Sequence, residues 1–451
     1  MKDKIILFGA GTYGREAYAK LREQYEIIGF ADNYKKTGET ICGVPIISIQ
    51  KLVDYVRNCN VDIVVTTEAY SKIGVQLNEL GIFDYYVMLH GHLYEKHRYY
   101  GKKVCCRCVM DNSSDKEILF DQHGFCNYCV ESYNKIGKIY FPNEEGREKL
   151  KTLIADVKKD GEGKKYDCIM GISGGLDSSY LAYLGYKWGL RVLAVHVDDG
   201  FDTQISSSNI KKLIKATGFD FEVIKPDSTQ FNALTKAYMK AGVPNIAVPQ
   251  DNILFAFLYK KMEEYNIKYF LSGGNFALEC ILQKGNTHSA YDITNIMDIH
   301  NKYGSEPIDK LEFLSFKTLE EYERKLNIQS PRPLNFINYN KNQAFLELEE
   351  FCGFEYYGSK HLENILTAFI QLYWFPKKFG VDKRTSHLSS MIVSGQISRE
   401  EALEILKQPL YDEKLMNDYI NIIKEKLKIT DIEFEEIIKS PIHQHEDYAT
   451  E

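Results

Sequence analysis

Short apolar runs alternate with amphipathic segments along the first part of the chain. Lys4–Phe8, Tyr25–Ala31 and Val61–Thr66 have the length and composition of buried strands, and segments between them, such as Tyr13–Gln24, repeat apolar positions at helical spacing. Because neighbouring parallel strands are joined by helical crossovers, this alternation is typical of a parallel sheet. We therefore predict an α/β domain over residues 1–100.

The alternation returns in the middle of the chain and then gives way to helices. Tyr166–Ile172 and Arg191–Val197 are predicted strands with a helical segment between them, which indicates a second parallel-sheet domain over residues 150–350. Farther along, apolar positions repeat at helical spacing only, so residues 351–451 are predicted to be helical. The polar tail from His443 onward is expected to be frayed.

Three glycines follow the first predicted strand as Gly9-x-Gly11-x-x-Gly14, and Asp32 closes the second strand. A strand, a glycine turn, a helix and then an acidic residue form the context of a dinucleotide fingerprint, in which the acid lies near a ribose. The block has room for only about one mononucleotide-binding half, so a hydride-transfer enzyme is not expected. Binding of a nucleotide or nucleotide-sugar by a Rossmann-like domain is favoured, and a turn that only packs strand on helix stays open.

Four cysteines after this domain are spaced as two metal-binding knuckles. Cys105-x-x-Cys108 and Cys126-x-x-Cys129 can place four thiolates around one ion, which favours zinc, with rubredoxin-like iron or an iron–sulfur cluster as alternatives. Because about fifty residues bury too little apolar surface to fold alone, the metal would stabilise this zinc-ribbon segment, residues 101–149. Four thiolates leave no open coordination position, so the predicted site is structural.

The segment Ser173-Gly-Gly-Leu-Asp-Ser-Ser179, called the anion loop below, lies between a predicted buried strand and a helix. Its glycines, its hydroxyl groups and the helix N-terminus can surround an anion with hydrogen-bond donors. The pattern is not that of a Walker loop, because no lysine precedes the final hydroxyl residue. Asp177 would repel a phosphate unless a magnesium ion bridged them, so the loop predicts a phosphate ligand with Mg²⁺.

Composition and charge narrow the classes of function that fit. The 451 residues are 44% hydrophobic with a formal net charge of −7, which excludes a largely disordered chain and argues against a nucleic-acid backbone as the main ligand. We expect no membrane association, because no apolar stretch has the length of a membrane span and the start lacks the pattern of a signal peptide. The ten cysteines are then expected to be reduced thiols or metal ligands of a cytoplasmic protein.

The anion loop resembles the pyrophosphate loop (PP-loop) of the N-type ATP pyrophosphatases, whose domains are adenine-nucleotide α-hydrolase-like. A closer resemblance, to the N-acetyl sugar amidotransferases, is carried by several further stretches: Cys105-x-x-Cys108-Val-Met-Asp111, Ser272-Gly-Gly-Asn-Phe276, Tyr357-Gly-Ser-Lys-His-Leu-Glu363, Pro376–Arg384 and His387–Gln396. It covers about residues 103 to 410 and does not include the N-terminal domain.

This resemblance implies an enzyme of bacterial surface-glycan synthesis, acting on a nonulosonic acid of the pseudaminic or legionaminic type, or on a sugar of flagellin or lipopolysaccharide. ATP would adenylate the oxygen of an N-acetyl group, and ammonia from a separate glutaminase subunit would displace AMP to leave an acetamidino group. The implied ATP-binding residues are Ser173, Gly174, Gly175, Asp177, Ser178, Ser179, Val197, Gly273, Gly274 and Asn275. The implied catalytic residues are Asp177, Lys360, His361, Lys377, Lys378 and Arg384.

Two other functions stay open. A tRNA thiolase would combine similar zinc knuckles with this loop, but the acidic charge and the absence of a free cysteine pair outside the zinc segment argue against it. A non-catalytic scaffold that binds nucleotide-sugars would be expected to carry a decayed loop, whereas this loop is intact. A steep salt dependence of tRNA binding would indicate the thiolase, and any turnover of ATP would exclude the scaffold.

Overall fold

A computed structural model describes residues 3–96, 101–358 and 362–451 of the chain. Its residues group into two compact units, Met1–Glu131 and Ser132–Glu451. The four-cysteine segment up to Glu131 therefore belongs to the same unit as the N-terminal sheet. Within the described ranges, no helix combines the length and the apolar content needed to cross a membrane.

The first unit alternates strands and helices, as its hydrophobic pattern predicts. The strands are β1 (Lys4–Phe8), β2 (Glu26–Ala31), β3 (Thr40–Ile41), β4 (Val44–Ile47), β5 (Asp62–Val65), β6 (Tyr85–Leu89) and β7 (His92–Lys96). The helices are α1 (Thr12–Leu21), α2 (Ile49–Cys59), α3 (Tyr70–Glu79) and α4 (Asn127–Lys135), the last of which runs across the boundary between the units.

The strands of the first unit form one sheet in the order β3-β4-β2-β1-β5-β6-β7, and β4, β2, β1, β5 and β6 are mutually parallel. Phe8 at the end of β1 aligns with Ala31 of β2 and with Val65 of β5. The loops that follow these three strands therefore meet at one edge of the sheet, which is where ligands bind in sheets of this kind.

The two outer strands belong to hairpins that the apolar pattern does not reveal. β3 pairs antiparallel with β4 across Cys42 and Gly43, and β7 pairs antiparallel with β6 across His90 and Gly91. The φ angles of these turn residues are 54°, 78°, 47° and 82°, as a two-residue turn that follows the strand twist requires. Cys-Gly and His-Gly are weaker turn signals than Asn-Gly, so sequence alone does not indicate either hairpin.

The second unit consists of a small sheet and many helices. Its strands are β8 (Cys168–Gly171), β9 (Val192–Val197), β10 (Asp220–Ile224) and β11 (Tyr269–Phe270). Its helices are α5 (Glu144–Asp160), α6 (Leu176–Lys187), α7 (Gln204–Thr217), α8 (Ser228–Ala241), α9 (Val248–Glu264), α10 (Phe276–Glu279), α11 (Ile293–Tyr303), α12 (Phe316–Leu326), α13 (Lys341–Cys352), α14 (Ile365–Phe369), α15 (Arg384–Val393), α16 (Arg399–Lys407), α17 (Glu413–Leu427) and α18 (Asp431–Lys439). Short 3₁₀ turns cover Lys284–Asn286, Pro333–Phe336 and His445–Asp447.

The sheet of the second unit has the order β10-β9-β8-β11, and all of its pairs are parallel. Gly171 at the end of β8 aligns with Val195 of β9, so the loops after these strands leave the sheet side by side. The predicted mixed α/β fold with parallel sheets and a helical C-terminal region is thereby confirmed.

A long helical segment near the C-terminus changes its pitch. α14 continues without a break into a π-helix, Ile370–Phe379, whose turns are wider than those of an α-helix. Trp374 in this segment is fully buried, and its indole N–H donates to the carbonyl oxygen of Val243 at 3.1 Å. The helices α8, α14, α17 and α18 share the apolar cluster around this tryptophan.

The expectation of a frayed tail is wrong. His445 and Tyr448 are buried, the hydroxyl of Tyr448 donates to the carbonyl oxygen of Ala241 at 2.7 Å, and the amide of Asn295 donates to the carbonyl oxygen of His445 at 2.9 Å. Although the tail is mostly polar, the rings of His445 and Tyr448 pack against α8 and α11. The side chain of Asn295 in α11 also hydrogen-bonds to a backbone carbonyl group of the tail.

Candidate active site

The anion loop has the strand–loop–helix geometry that the sequence predicts. It leaves the buried strand β8 and enters α6, whose N-terminal cap is Gly175. Gly174 has a φ of +76°, and a Cβ atom there would lie 2.6 Å from the carbonyl oxygen of Ser206. Both the left-handed backbone and the close contact with α7 therefore require glycine at this position.

Hydroxyl oxygens accept the backbone N–H groups of this loop. The N–H of Gly175 donates to Oγ of Ser173 at 3.1 Å, the N–H of Ser173 donates to Oγ of Ser178 at 3.3 Å, and the N–H of Leu176 donates to the hydroxyl of Tyr357 at 2.8 Å. These neutral acceptors are weaker than the charged oxygens of a phosphate, so an anion can replace them. The donors are already gathered at the start of a helix, where the dipole favours negative charge.

The second glycine motif packs directly against the anion loop. A Cβ atom on Gly273 would lie 3.1 Å from the backbone nitrogen of Ser178, so glycine allows the two loops to approach closely. Asn275 is buried and uses its side chain to cap α10, because its Oδ1 accepts the N–H of Leu278 at 2.9 Å. The structure thus shows a structural contact for Gly273 and Asn275, and their predicted contact with ATP stays a prediction.

A cavity of about 520 Å³ opens beside the anion loop, and we call it the main cavity. Ser173, Ser178 and Val197 line it, so the structure brings these three predicted site residues together. Ser179, by contrast, is fully buried in α6, and its hydroxyl has no hydrogen-bond partner within the described ranges. The volume of the main cavity suits part of a nucleotide and a small acceptor rather than a macromolecular ligand.

Carboxylates dominate the polar wall of the main cavity: Asp199, Asp202, Asp251 and Glu363. Asp199 is buried, and burial raises its pKa to about 6, although it accepts the N–H of Phe201 at 2.8 Å and the amide of Asn364 at 3.1 Å. A phosphate beside so many acids would be repelled unless a divalent cation neutralised them. The oxygen donors of Asp199, Asp202 and Glu363 fit the Mg²⁺ that the sequence predicts, and Asp177 at the loop adds a further carboxylate.

His196 joins the loop to this acidic wall. Its Nδ1 lies 2.8 Å from the carbonyl oxygen of Ile172 and its Nε2 lies 2.7 Å from Oδ2 of Asp202. Burial by itself lowers the pKa of His196, but the hydrogen bond to Asp202 and the charge of that carboxylate raise it above its usual value. No motif in the sequence indicates His196, Asp202 or Asp251 as site residues. His196 and Asp202 lie near the end of a parallel strand, which is the one signal that could have indicated them.

Asp177 is held in place by a tyrosine. The hydroxyl of Tyr339 donates a short hydrogen bond to Oδ1 of Asp177, and Tyr339 itself is buried. Burial and the charge of Asp177 raise the pKa of Tyr339, so this hydroxyl keeps its proton and remains a donor. The carboxylate is thus oriented before any ligand arrives.

The predicted basic residues do not gather at the main cavity. Lys360 and His361 lie outside the described residues. Lys377 is exposed and faces the turn before α17, whereas Arg384 pairs with Asp382 at 2.8 Å and donates to the carbonyl oxygen of Gln408 at the end of α16 at 2.9 Å. Lys383, which the sequence places in the same basic cluster, does line the main cavity.

Lys378 lies at the end of a helix rather than at the main cavity, and its predicted catalytic role stays a prediction. It is buried, its ammonium donates to the carbonyl oxygens of Ile437 and Ser440 at 2.8 Å each, and it donates to Oγ of Ser440 at 2.9 Å. Burial lowers the pKa of Lys378. Its ammonium therefore satisfies the C-terminal carbonyl groups of α18, which makes it part of the fold rather than of the cavity.

Replacing Lys378 should test this assignment. We expect Lys378→Met to lower the free energy of unfolding by about 1–3 kcal/mol, because charge-assisted hydrogen bonds at a buried helix end are lost, while nucleotide affinity stays unchanged. Urea denaturation and nucleotide titration measure the two quantities. The exposed neighbour provides the control, since Lys377→Met should change neither. A loss of nucleotide affinity with unchanged stability would instead support the catalytic role.

The glycines of the N-terminal motif differ in how closely other atoms approach them. Gly9 has a φ of +118°, and a Cβ atom on Gly14 would lie 2.0 Å from the carbonyl oxygen of Gly9, whereas a Cβ atom on Gly11 would meet nothing within 4 Å. Asp32 Oδ2 accepts the N–H of Ala10 at 2.8 Å, and its Oδ1 accepts the N–H groups of Tyr34 and Lys35. Gly9, Gly14 and Asp32 therefore shape the loop, and Gly11 leaves open space above it.

This difference predicts two distinct outcomes. Gly14→Ala should destabilise the first unit by about 2–3 kcal/mol, because the added methyl group clashes with backbone in a packed core. Gly11→Ala should leave the thermal midpoint within about one degree of the wild type. Thermal denaturation distinguishes the two variants. If nucleotides or nucleotide-sugars bind here, Gly11→Ala should weaken that binding, which the same samples would report by titration.

The four cysteines converge as their spacing predicts. The Sγ atoms of Cys105, Cys108, Cys126 and Cys129 all lie within 4.8 Å of one another, and all four residues are buried. The N–H groups of Cys108 and Cys126 donate to Sγ of Cys105 at 3.4 Å and 3.2 Å, and the guanidinium of Arg107 donates to Sγ of Cys129 at 3.3 Å. Donors of this kind stabilise thiolates, so the site fits a structural Zn²⁺ ion.

The two ends of the chain match known family models. Residues 363–451 match a family model described as the C-terminal domain of the WbpG-like LPS biosynthesis proteins, and residues 1–88 match a model described as C2185-like, N-terminal. The predicted resemblance is therefore confirmed in a coarser form, as a WbpG-like C-terminal region. The amidotransferase reaction remains a prediction.

Similarity over longer stretches is weaker. The uncharacterized protein MJ1599 of Methanocaldococcus jannaschii is 22% identical over 327 residues, which is 72% of this chain and 99% of that protein. NMN synthetase from Francisella tularensis is 16% identical, covering 63% of this chain and 97% of that one with a TM-score of 0.26. NH3-dependent NAD synthetase from Campylobacter jejuni is 13% identical, covering 66% and 98% with a TM-score of 0.26. Likenesses of this size carry no argument about the reaction.

Proposed function

We propose that this protein is an ATP-dependent amidotransferase that converts the N-acetyl group of a sugar into an acetamidino group during surface-glycan synthesis. The observation that carries the proposal is the anion loop, whose gathered donors open onto an acid-lined cavity of about 520 Å³. A loop that binds phosphates next to carboxylates that bind Mg²⁺ is the arrangement that cleavage of a nucleoside triphosphate needs. The WbpG-like C-terminal region supports a role in glycan synthesis.

The proposed reaction has two steps. The amide oxygen of the acceptor attacks the α-phosphorus of ATP, and the bond to pyrophosphate breaks while the anion loop holds the leaving group. Ammonia then attacks the activated carbon and AMP departs. Mg²⁺, when held by Asp177 of the loop and by Asp199, Asp202 and Glu363 of the cavity, would neutralise charge on the phosphates. Ser173, Ser178 and the N–H groups of the loop orient the pyrophosphate, and Tyr339 orients Asp177.

The remaining parts of the chain fit supporting roles under this proposal. The four-cysteine site would hold a structural zinc ion, and the N-terminal sheet would bind a nucleotide or a nucleotide-linked sugar near Gly11. Ammonia is mostly protonated at neutral pH, so a separate glutaminase subunit would supply it in the cell. An N-acetylated sugar is the proposed acceptor.

A direct assay of AMP tests the proposal. Purified protein would be incubated with ATP, Mg²⁺ and ammonium at alkaline pH, with a panel of free and nucleotide-linked N-acetylated sugars and, separately, with bulk tRNA and a sulfur donor. We expect AMP with one or more sugars, together with a product about one mass unit lighter and more basic. AMP only with tRNA would show a thiolase instead, and no AMP with any acceptor would contradict an enzymatic role. Heat-denatured protein provides the blank.

A further inference from the structure

One carboxylate of the main cavity differs from the other three. Asp199 accepts hydrogen bonds from Phe201 and Asn364, Asp202 pairs with His196, and Glu363 lies 3.4 Å from Oγ of Ser173. Asp251 has no hydrogen bond or ion pair among the described residues, and burial alone accounts for its altered acidity. Asp251 is half-buried and its carboxylate lines the cavity without a protein donor, so a ligand in the cavity can supply one.

The helix α9 presents Asp251 to the cavity. Ala247, Asp251, Leu254, Phe255 and Leu258 recur at helical spacing and all line the main cavity, so they form one stripe of the helix. Asp251 is the charged member of this otherwise apolar stripe. An apolar wall disfavours the ionised carboxylate, and burial raises the pKa of Asp251 to about 6.

The residues on either side of Asp251 fix its position. The amide of Gln250 donates to Oδ2 of Asp199, and the amide of Asn252 donates to the carbonyl oxygens of Ala290 at 2.6 Å and Leu314 at 2.8 Å. Both neighbours are thus held by bonds that cross to other segments of the unit. The backbone at Asp251 is therefore fixed on both sides, while its carboxylate makes no bond within the described residues and can bond with a ligand.

We propose that Asp251 is the residue that accepts a proton from the attacking ammonia, an assignment that rests on the proposed amidotransferase function. The lone pair of ammonia forms the new C–N bond, one N–H proton passes to the carboxylate of Asp251, and the C–O bond to AMP breaks with its electron pair on the phosphate oxygen. The same carboxylate can first bind an ammonium ion, take its extra proton and release that proton to solvent water before the attack. A small nitrogen cation or its neutral form is the ligand class that supplies the missing donor.

Other titratable groups line the main cavity and contribute to its electrostatic potential. Asp199, Asp202, Glu363, His196 and Lys383 line the same walls, and Tyr291 lies near enough for the charge of Asp251 to raise its pKa. The two other aspartates are engaged with donors, as described above. Asp251 is therefore the cavity aspartate whose oxygens can accept a proton without breaking an existing bond.

The test measures the first step, attack of the amide oxygen on ATP, separately from the second step, attack by ammonia. With an acceptor sugar found by the AMP assay, exchange of labelled pyrophosphate into ATP without ammonia reports the first step, and amidine formation from ammonium sulfate reports both. We expect Asp251→Asn to keep exchange within about twofold and to lose about 10²–10⁴-fold in amidine formation. Hydroxylamine, which is largely unprotonated at neutral pH, should restore much of the loss. Asp156→Asn, on the exposed face of α5, should match the wild type in every assay.

The pH dependence gives a second readout that a purely structural role would not change. The ratio of wild-type to Asp251→Asn rates cancels the titration of ammonia itself. We expect this ratio to be near one at low pH, where Asp251 is protonated, and to rise through about pH 6 to a plateau. A flat ratio, an equal loss with hydroxylamine, or a loss of exchange would each overturn the assignment. Absence of AMP in the wild type would instead refute the proposed function on which it rests.

Discussion

Gly174→Ala is expected to reduce ATP use by about 10²–10³-fold while the protein remains folded. An alanine at a φ of +76° is strained by about 1–2 kcal/mol, and its Cβ atom would lie 2.6 Å from the carbonyl oxygen of Ser206. Since α7 cannot give way easily, the anion loop must move. A shift of about one ångström would aim the N–H donors away from the pyrophosphate, and such a misplacement costs about 100-fold in rate.

The matched control for this variant is Gly163→Ala. Gly163 has nearly the same backbone angle, with a φ of +74°, but a Cβ atom there would meet nothing within 4 Å. We expect Gly163→Ala to lower the free energy of unfolding by a similar amount, about 1–2 kcal/mol, and to retain full activity. AMP formation and urea denaturation would be measured for both variants. Equal activities of Gly174→Ala and the wild type would show that the loop does not position phosphates.

Cys105→Ser should remove the metal and unfold the segment around it. Structural zinc contributes about 10–16 kcal/mol of apparent binding free energy in small domains, which is more than the stability of most folds. We expect metal analysis to fall from about one zinc ion per chain to near zero. Limited proteolysis should then cut within residues 101–131, which the wild type protects. A chelator should reproduce both effects.

Replacing the adjacent cysteine tests whether the loss of zinc and of protease resistance is specific to the four predicted ligands. Cys106 is exposed and is not part of the cluster of four buried thiols. Cys106→Ser should therefore keep its zinc and its resistance to protease. Full zinc retention in Cys105→Ser would contradict the assigned ligands. An iron signal in place of zinc would keep the site but change the metal, since four thiolates also suit iron.

The sequence predicts those features that depend on local pattern. The parallel sheets follow from apolar runs between helices, and the four-cysteine cluster follows from paired spacings. The position of the anion loop between a buried strand and a helix follows from its glycines and hydroxyl residues. Each of these depends on residues close together in the chain, so a short motif is enough to specify the geometry.

The features that the sequence could not predict depend on partners far away in the chain. Lys378 is bound to carbonyl groups of α18, and no spacing near Lys378 shows that helix approaching. Asp251 is notable because it lines the main cavity without a hydrogen-bond partner among the described residues, which depends on how α9 packs against the rest of its unit. In the N-terminal domain, the oxygens of Asp32 bond to backbone N–H groups of the turn, and its predicted place near a ribose stays a prediction. Such roles emerge only when tertiary contacts are known.

The π-helix at Ile370–Phe379 has a consequence for which side chains reach the cavity. Counting in α-helical turns from Thr367, which lines the main cavity, would place Trp374 and Lys378 on the cavity side. The wider turns delay the helix by about one residue, so Phe375 lies there instead while Trp374 and Lys378 are buried on the other side. The phase of this helix thus decides which residues face the main cavity. Deleting a single residue from the π-helix would turn Lys378 toward the main cavity and Phe375 away from it.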